Sequence, residues 1–585
     1  AVGGVGKAQV VREVDALGGE IAKNAERALT QIKLLNTTKG PSVWSTRVQI
    51  DKNRYREEMR KILEKEKNLH LRQGLVEELI IENDKVIGLK TKTGEIYNAK
   101  SIVLTPGTFL RGVVHIGKEM IEAGRWGELP SVGLANSLKE LGFNIKRFNT
   151  GTTPRIDIKS IDLNKFEIDE GEKTPISFSF DTKPRVWENQ IPSYKGSTNI
   201  KTIETTRKYL EYAPSVMGLM VKIGPRTCPS IEEKVRWFPD RIEHSFFLEK
   251  EGFNTDETYI QGMYMSVPME YQIEILKTIP GFENIKMIRP GYAIAYDLID
   301  PLELLPTLQT NKFENLFLAG QINGTTGYDE AAGQGILAGI NAALYANNKK
   351  LLILKREDSY IGVMIDDLIK KGIDEPYRIT PSHVENRILL RQDNADVRLT
   401  PISYEIGLVS YERYKKVVEK KEKINELINI LINKKINPSY ENNEILKSIE
   451  EDTINTPYTI FDLLKRPSFS IEKLKKFFPE VSKYEDDVLF EVMIEARYFG
   501  YIKRYQKNLE SLKKYEKITI PENIDYKLVP NLSKQAQERL TKYKPKSLKE
   551  AKELTGVTPA DVLNLLLYLE KNRFKFKEDG SSETA

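Results

Sequence analysis

Cys228 is the only cysteine in the chain and the side chain best placed to act as a nucleophile. It lies in Gly224-Pro225-Arg226-Thr227-Cys228-Pro229-Ser230-Ile231-Glu232-Glu233-Lys234, where two prolines stiffen the loop. Lys222 and Arg226 bring positive charge close by, which favours the reactive thiolate over the thiol. A lone cysteine often serves as a small buried hydrophobe. The prolines and the polar, basic neighbours argue for a loop position instead.

A second stretch has the spacing of a ligand-binding turn. Asn315-Leu316-Phe317-Leu318-Ala319-Gly320-Gln321-Ile322-Asn323-Gly324-Thr325-Thr326-Gly327-Tyr328-Asp329-Glu330-Ala331-Ala332-Gly333-Gln334-Gly335 joins an apolar run to a Gly-rich turn and a small-residue helix. The pattern predicts a buried strand, a tight loop with exposed backbone N–H groups, and a helix whose N-terminus faces a ligand. The positive end of such a helix suits an anion or an electron-rich ring edge. Gly335 and Gly339 share one helix face, so close approach of a neighbour or a cofactor is expected there.

Other candidates are less specific. Phe148-Asn149-Thr150-Gly151-Thr152-Thr153-Pro154-Arg155 reads as a backbone-lined turn edged by an arginine, and Arg289-Pro290-Gly291-Tyr292 as a crossover leading to Tyr296-Asp297. Arg378 after Tyr377, with Arg387, Arg391 and Arg398, is expected to cluster guanidinium groups for phosphate contacts. Tyr498-Phe499-Gly500-Tyr501-Ile502-Lys503-Arg504-Tyr505 mixes aromatics with cations, as an RNA-stacking helix or a packing stripe would. The opening Ala1-Val2-Gly3-Gly4-Val5-Gly6-Lys7 imitates a phosphate loop, but a Walker pattern needs Gly in place of Ala1 and Ser or Thr in place of Ala8. That reading fails.

Composition narrows the classes. One cysteine excludes an internal disulfide and fits a cytoplasmic setting. The histidines at 70, 115, 244 and 383 form no cluster with metal-ligand spacing, so no metal is expected. No apolar run approaches a membrane span, and no signal peptide opens the sequence. The net charge is +5 over 585 residues, but Glu491–Lys577 holds 19 Lys and Arg against 11 Asp and Glu. That local excess leaves the rest slightly acidic and points to a polyanion partner near the C-terminus.

The positioning elements follow from periodicity and turn chemistry. Val10, Val11, Val14 and Leu17 have helical spacing. Leu79–Ile81 and Val86–Leu89 flank the hairpin turn Glu82-Asn83-Asp84-Lys85, Lys92–Glu95 makes another turn, and Ser101–Leu104 reads as a buried strand. Strand-rich sequence runs to about Pro301. After Leu352 helical patterns dominate, with long helices expected at 415–433 and 496–517. A capping box at Ser547–Glu550 and a capped, Pro-led start at Thr558-Pro559 mark later helices. A mixed α/β body should therefore precede an all-helical C-terminal third.

Seven stretches, taken in order, resemble one family. They are Val11–Glu20, Leu35–Pro41, Gly151–Arg155, Gly224–Lys234, Arg289–Ile294, Ala319–Gly335 and Asp393-Asn394-Ala395-Asp396, and they span nearly the whole chain. The chain is similar to the FAD-dependent large subunit of the tRNA wobble-uridine carboxymethylaminomethyl-modification enzyme, the glucose-inhibited division protein A family. The resemblance implies an α/β, glutathione-reductase-like flavoprotein with two dinucleotide-binding domains. An FAD domain would comprise 1–150 and 301–350, and an inserted NAD/substrate domain 151–300. A helical tRNA-binding region would follow over 351–480, and a C-terminal helical domain binding tRNA and a partner GTPase over 481–585.

The same resemblance implies that FAD, NADH and methylenetetrahydrofolate, the one-carbon donor, support modification at uridine C5. It also implies a homodimer that joins the GTPase in a heterotetramer. Cys228 matches a family catalytic cysteine, and a thiolate adding at uracil C6 is one way to activate C5. Val76, Ser131, Gly320, Gln321, Gly324, Thr325, Thr326 and Gly327 would contact FAD. Gly224, Pro225, Arg226, Thr227, Pro229, Ser230, Ile231, Glu232, Glu233, Lys234 and Phe238 would line the NAD site. Arg378, Arg387, Arg391, Lys503 and Arg504 are the expected RNA contacts.

The sequence departs from the family in several places. The first strand, its G-x-G-x-x-G loop and a second cysteine are not found ahead of Ala1, so an incomplete N-terminus is expected. His383 and Asn386 stand where the family carries Arg and Tyr, Ala295 where it has Glu, and Tyr264-Met265 where it has Ser-Thr. Two alternatives follow: a folate- and FAD-dependent tRNA uracil-5-methyltransferase, which is shorter and lacks the helical third, or a non-catalytic tRNA- and GTPase-binding scaffold.

Overall fold

The computed structural model describes residues 1–220, 224, 229–515, 518–554 and 556–572, with side chains described outside 504–515 and 553. Pro225, Arg226, Thr227 and Cys228 therefore lie outside the described residues, as does the side chain of Arg504. Two compact units form. One comprises residues 1–15, 19–37 and 44–381, and the other 16–18, 38–43 and 382–585.

In the first unit, helix α1 (Lys7–Ala16) carries the expected apolar face, but it is buried nearly all round, with Gln9, Glu13 and Asp15 enclosed as well. Buried carboxylates need donors. Glu13 accepts from the amides of Tyr360 and Ile361 at 2.9 and 3.0 Å, and Asp15 from Ser179 Oγ and the Phe180 amide at 3.0 and 2.8 Å. Arg12 donates to the Phe178 carbonyl at 2.8 Å and lies over the Phe180 ring. The stretch Val11–Glu20 thus clamps a strap at Phe178–Phe180 onto the body.

The predicted hairpin forms between Val76–Glu82 and Lys85–Thr91. Asn83 and Asp84 take φ of 49° and 58°, the left-handed pair that a two-residue primed turn requires. Strand β1 (Ile102–Leu104) is the strand expected at 101–104. Strand β2 (Tyr292–Ile299) runs through a four-stranded sheet between Ile145–Thr152 and Val113–Ile116. Strand β3 (Leu316–Leu318) pairs parallel with β1, Leu316 opposite Ile102. Both are short apolar runs with little outward alternation, as a strand enclosed on both faces should be. Helix α2 (Tyr328–Ala346) follows. Between residues 155 and 289 a six-stranded sheet forms with every ladder antiparallel, packed over a core that includes Phe246, Ile260, Ile275 and Phe282.

The second unit is helical. Its helices start on side-chain caps: Ser410, Ser439, Ser470 and Ser533 each accept from the backbone amide three residues on, contacts worth about 1 kcal/mol each. The helix expected at 415–433 covers Tyr411–Asn433, and the one expected at 496–517 is α3 (Asp486–Tyr515), which starts ten residues earlier at an acidic first turn. Ser547 caps its helix, but Glu550 reaches back to the Lys546 amide, so the reciprocal half of the expected box is displaced by one residue. Thr558 and Asp561 form a complete box around Pro559, which takes the first helical position.

Candidate active site

The Gly-rich turn grows out of the end of β3. Gly320–Asn323 form a short 3-10 turn, and Gly324 then adopts φ +79° with its α-carbon against Ile373, where any side chain would collide. Gln334, on α2, holds the turn from behind. Its Oε1 accepts from the Gly320 amide at 3.0 Å and Asn323 Nδ2 at 2.9 Å, while its Nε2 donates to Thr325 Oγ1 at 3.0 Å. Thr325 in turn donates to the Gly320 carbonyl. Gly327, the residue just ahead of helix α2, has no side chain to cap it, so the first-turn N–H groups are left without a side-chain partner.

Expected close packing at Gly335 and Gly339 is not found, since a Cβ at either would meet nothing within 4 Å. The close approach is at Gly333, where a Cβ would lie 2.8 Å from Val10 Cγ1. The face that packs inward is offset from the face suggested by spacing alone.

The loop after β1 meets this turn. A Cβ on Gly107 would lie 3.6 Å from Gln321 Oε1. The Ser131 amide donates to the Phe109 carbonyl at 2.8 Å, and a Cβ on Gly133 would lie 3.1 Å from the Glu77 α-carbon, next to Val76. A trail of residues therefore runs from Val76 and Ser131 through the 105–109 loop to Gln321. It follows the carboxyl ends of the two parallel strands, where open α/β sheets hold their ligands. The Tyr296 hydroxyl is buried beside Gln321 without hydrogen-bond geometry, and burial raises its pKa above the ordinary phenol value, against a pull from Gln321.

These residues can hold a planar, electron-rich ligand. Uncapped amides head α2, the Gln321 amide is half-buried at the turn, and Thr326 and Arg378 close one side, Arg378 Nε donating to Thr326 Oγ1 at 3.0 Å. Glu330 adds a fully buried carboxylate of which neither oxygen accepts a hydrogen bond. Gln334, Asn323, Glu330 and Lys7 were not singled out in the sequence as site residues. A lone glutamine between two glycines was the only local signal for Gln334.

The other expected site residues are dispersed or occupied. Gly224 is buried against Asn149. Ser230 and Glu233 form the capping box of the short helix Ile231–Trp237. Ile231 is fully buried in the core of the six-stranded domain, and Glu232 accepts from the Ser266 and Val267 amides at 2.7 and 3.2 Å. Both side chains are thus engaged within the domain. Burial holds the Glu232 carboxyl above its ordinary pKa despite those amides. Lys234 Nζ donates to the Gly262 carbonyl at 2.6 Å; Pro229 is buried and Phe238 is exposed.

Of the expected RNA contacts, Arg378 belongs to the α/β unit and sits at the Gly-rich turn, while Arg387 and Arg391 belong to the helical unit. Arg387 is exposed, and so is Lys503 on α3. Arg391 is the main correction. Its side chain is 0% exposed and bound to Asp393 at 2.8 Å, Glu491 at 2.7 Å and Glu495 at 3.3 Å. With those carboxylates around it, Arg391 has no face to offer a phosphate.

A family model described as "Glucose inhibited division protein A" matches residues 1–350. Two more, a "tRNA modifying enzyme MnmG/GidA C-terminal helical domain" and a "C-terminal helical bundle", match 411–506 and 508–585. The chain belongs to the glucose inhibited division protein A family. It is 46% identical over 573 residues to a Bacillus licheniformis protein named "tRNA uridine 5-carboxymethylaminomethyl modification enzyme MnmG", covering 98% of this chain and 91% of that one. The same name belongs to a Bacillus subtilis relative, 45% identical over 573 residues with the same coverage. Among solved structures, Aquifex aeolicus GidA in its form I crystal superposes with a TM-score of 0.81 at 43% identity, covering 97% of this chain and 92% of that one.

In the glucose inhibited division protein A family, the mixed α/β body and helical C-terminal region are the shared architecture. The C-terminal matches do not favour the shorter methyltransferase alternative, and the relatives' names do not favour a non-catalytic scaffold. Among the described residues no helix is long and apolar enough to cross a membrane, and no group of three or more His, Cys, Asp or Glu could hold a metal.

Proposed function

We infer that the chain is a flavin-dependent tRNA-modifying enzyme that builds a carboxymethylaminomethyl or aminomethyl group on C5 of the wobble uridine of certain tRNAs. The observation that carries this reading is the Gly320–Gly327 turn, set with the head of α2 at the carboxyl ends of β1 and β3. It occurs in a chain whose relatives bear that activity in their names. FAD is the cofactor of this reading. Its ring edge suits the uncapped amides of α2 and Gln321, and the rest of the molecule suits the trail towards Ser131 and Val76.

When bound, FAD supplies the redox step that turns a methylenetetrahydrofolate carbon into the substituent, and NADH supplies the electrons. The chain's own residues orient and exclude water: Gln334 fixes the turn, and Arg378 holds Thr326 in place. The NADH site lies in the 151–300 domain near Gly224 and Ser230. Cys228 supplies a thiolate that adds at uracil C6, making C5 nucleophilic; the proton and the thiolate leave once C5 is substituted. The helical regions 351–480 and 481–585 engage tRNA and a partner GTPase, with Arg387, Lys503 and Arg504 as cations for phosphate. The assembly is a cytoplasmic homodimer joined with that GTPase.

The full chain, purified gently, tests the cofactor assignment. It is expected to carry a flavin visible spectrum at near-stoichiometric level or to acquire one on adding FAD. A folded protein that stays colourless and binds no FAD overturns it.

A further inference from the structure

The opening stretch Ala1–Lys7 fails as a phosphate loop, yet the structure brings it to the head of α2. The Gly3 amide donates to Asp329 Oδ1 at 2.8 Å, and Lys7 Nζ lies 2.9 Å from Asp329 Oδ2 and 3.5 Å from Glu330 Oε2. Gly3 takes φ +82°, and a side chain there would run into the Thr46 carbonyl and, at 2.9 Å, the Phe178 ring. The strap held by Arg12 and Asp15 therefore also backs this turn. Only glycine fits, so the loop is fixed where it meets Asp329.

Glu330 is the independent sign of a built site. It is the third residue of α2, where a carboxylate commonly reaches back to cap its own helix. Here it folds beneath Gly327, into the space a side chain at 327 would take, and accepts no hydrogen bond with either oxygen. An ionised carboxylate buried this way is strongly disfavoured unless a cation compensates it. Lys7 is that cation. Asp329 and Glu330 raise its pKa although burial, the largest influence, opposes them. Arg378 lies close enough to repel Lys7. The head of α2 thus carries two cations and two carboxylates beside uncapped amides.

We propose that Lys7 is a positioning residue of the flavin site, which together with Glu330 sets the charge facing the electron-rich edge of the flavin and thereby its readiness to accept electrons. This rests on the FAD assignment above. Charge acts on a redox equilibrium with a definite sign. Removing a fixed cation makes the added electrons less welcome, and removing a fixed carboxylate makes them more welcome.

The test uses the full chain loaded with FAD, with the flavin reduction potential read by equilibrium titration against a reference dye. Two substitutions conserve shape and delete charge, Lys7→Met and Glu330→Gln. Lys7→Met is expected to make the flavin at least tenfold harder to reduce, about 30 mV for a two-electron couple, and Glu330→Gln at least tenfold easier. A merely structural role would loosen the flavin in both variants without opposite shifts. Unmoved potentials, or shifts of one sign, overturn the proposal. If Lys7→Met does not retain flavin, the Glu330→Gln arm decides by the same criterion. A wild-type chain that binds no FAD is a separate result, and it removes the flavin reading together with this one.

Discussion

The Arg391 guanidinium lies 2.7 Å from the Glu491 carboxylate inside the helical unit, with Asp393 and Glu495 on its remaining donors. Burial, then Asp393, lifts the Glu491 carboxyl well above its ordinary pKa against the pull of Arg391 and Lys420. Asp393 is held below its ordinary value by Arg391, against burial. This network ties the Asp393–Asp396 segment to α3 within one unit.

Removing one partner of such a network leaves uncompensated buried charge. Arg391→Met is expected to destabilise the helical unit by about 3–5 kcal/mol, read as a lower midpoint in denaturant unfolding of the full chain. The tRNA affinity of the folded fraction should be unchanged. A stable variant with weakened tRNA binding would return Arg391 to the phosphate-binding residues.

Lys503 tests the other kind of cation. It is exposed on α3, where a charge costs little and reaches a polyanion freely. The double substitution Lys503→Ala with Arg504→Ala should weaken tRNA binding and flatten its dependence on salt, by up to about 0.7–0.9 in slope for each phosphate no longer neutralised. An unchanged slope would show that neither side chain meets a phosphate.

His244 gives the six-stranded sheet region an acid-side weakness. Its ring is buried, its amide donates to Thr198 Oγ1 at 2.8 Å, and burial first, then Lys234 and Arg241, lowers its pKa to about 4. An unfolded histidine titrates near 6.5. The native state therefore holds fewer protons than the unfolded one between those values, and stability falls as pH drops from about 6.5 to 4. His244→Phe should flatten the melting temperature over that window while leaving a comparable slope outside it. An identical slope in both proteins would refute the assignment.

With Cys228 as the proposed nucleophile towards the base, Cys228→Ser should abolish tRNA modification while the visible flavin spectrum persists. Retained activity would remove the nucleophile role.

Much of the frame was readable because local chemistry and fold agree. Glu82–Lys85 announced a hairpin turn, Leu316–Leu318 a buried strand, and Gly320–Gly327 a Gly-rich turn at its end. What escaped depended on partners remote in sequence. Arg391 looks like a surface arginine until Glu491, a hundred residues on, is placed beside it. The Phe178–Phe180 strap has no periodicity and is fixed by Arg12 and Asp15. Lys7 drew notice only as part of a failed nucleotide motif, because its real partners, Asp329 and Glu330, lie at the far end of the α/β unit in sequence. Gly335 and Gly339 share a helix face as their spacing says, but the glycine that packs inward is Gly333, and it does so because Val10 lies against it.

The central claim is that this chain changes uridine C5. The most direct measurement is nucleoside mass analysis of unmodified tRNA incubated with the purified full chain, its partner GTPase, GTP, FAD, NADH, methylenetetrahydrofolate and glycine, the amine that completes the substituent in this reading. A new uridine derivative carrying one carboxymethylaminomethyl group is expected, lost when Cys228 is replaced by Ser. Unmodified uridine after incubation with a flavin-loaded, folded chain would contradict it.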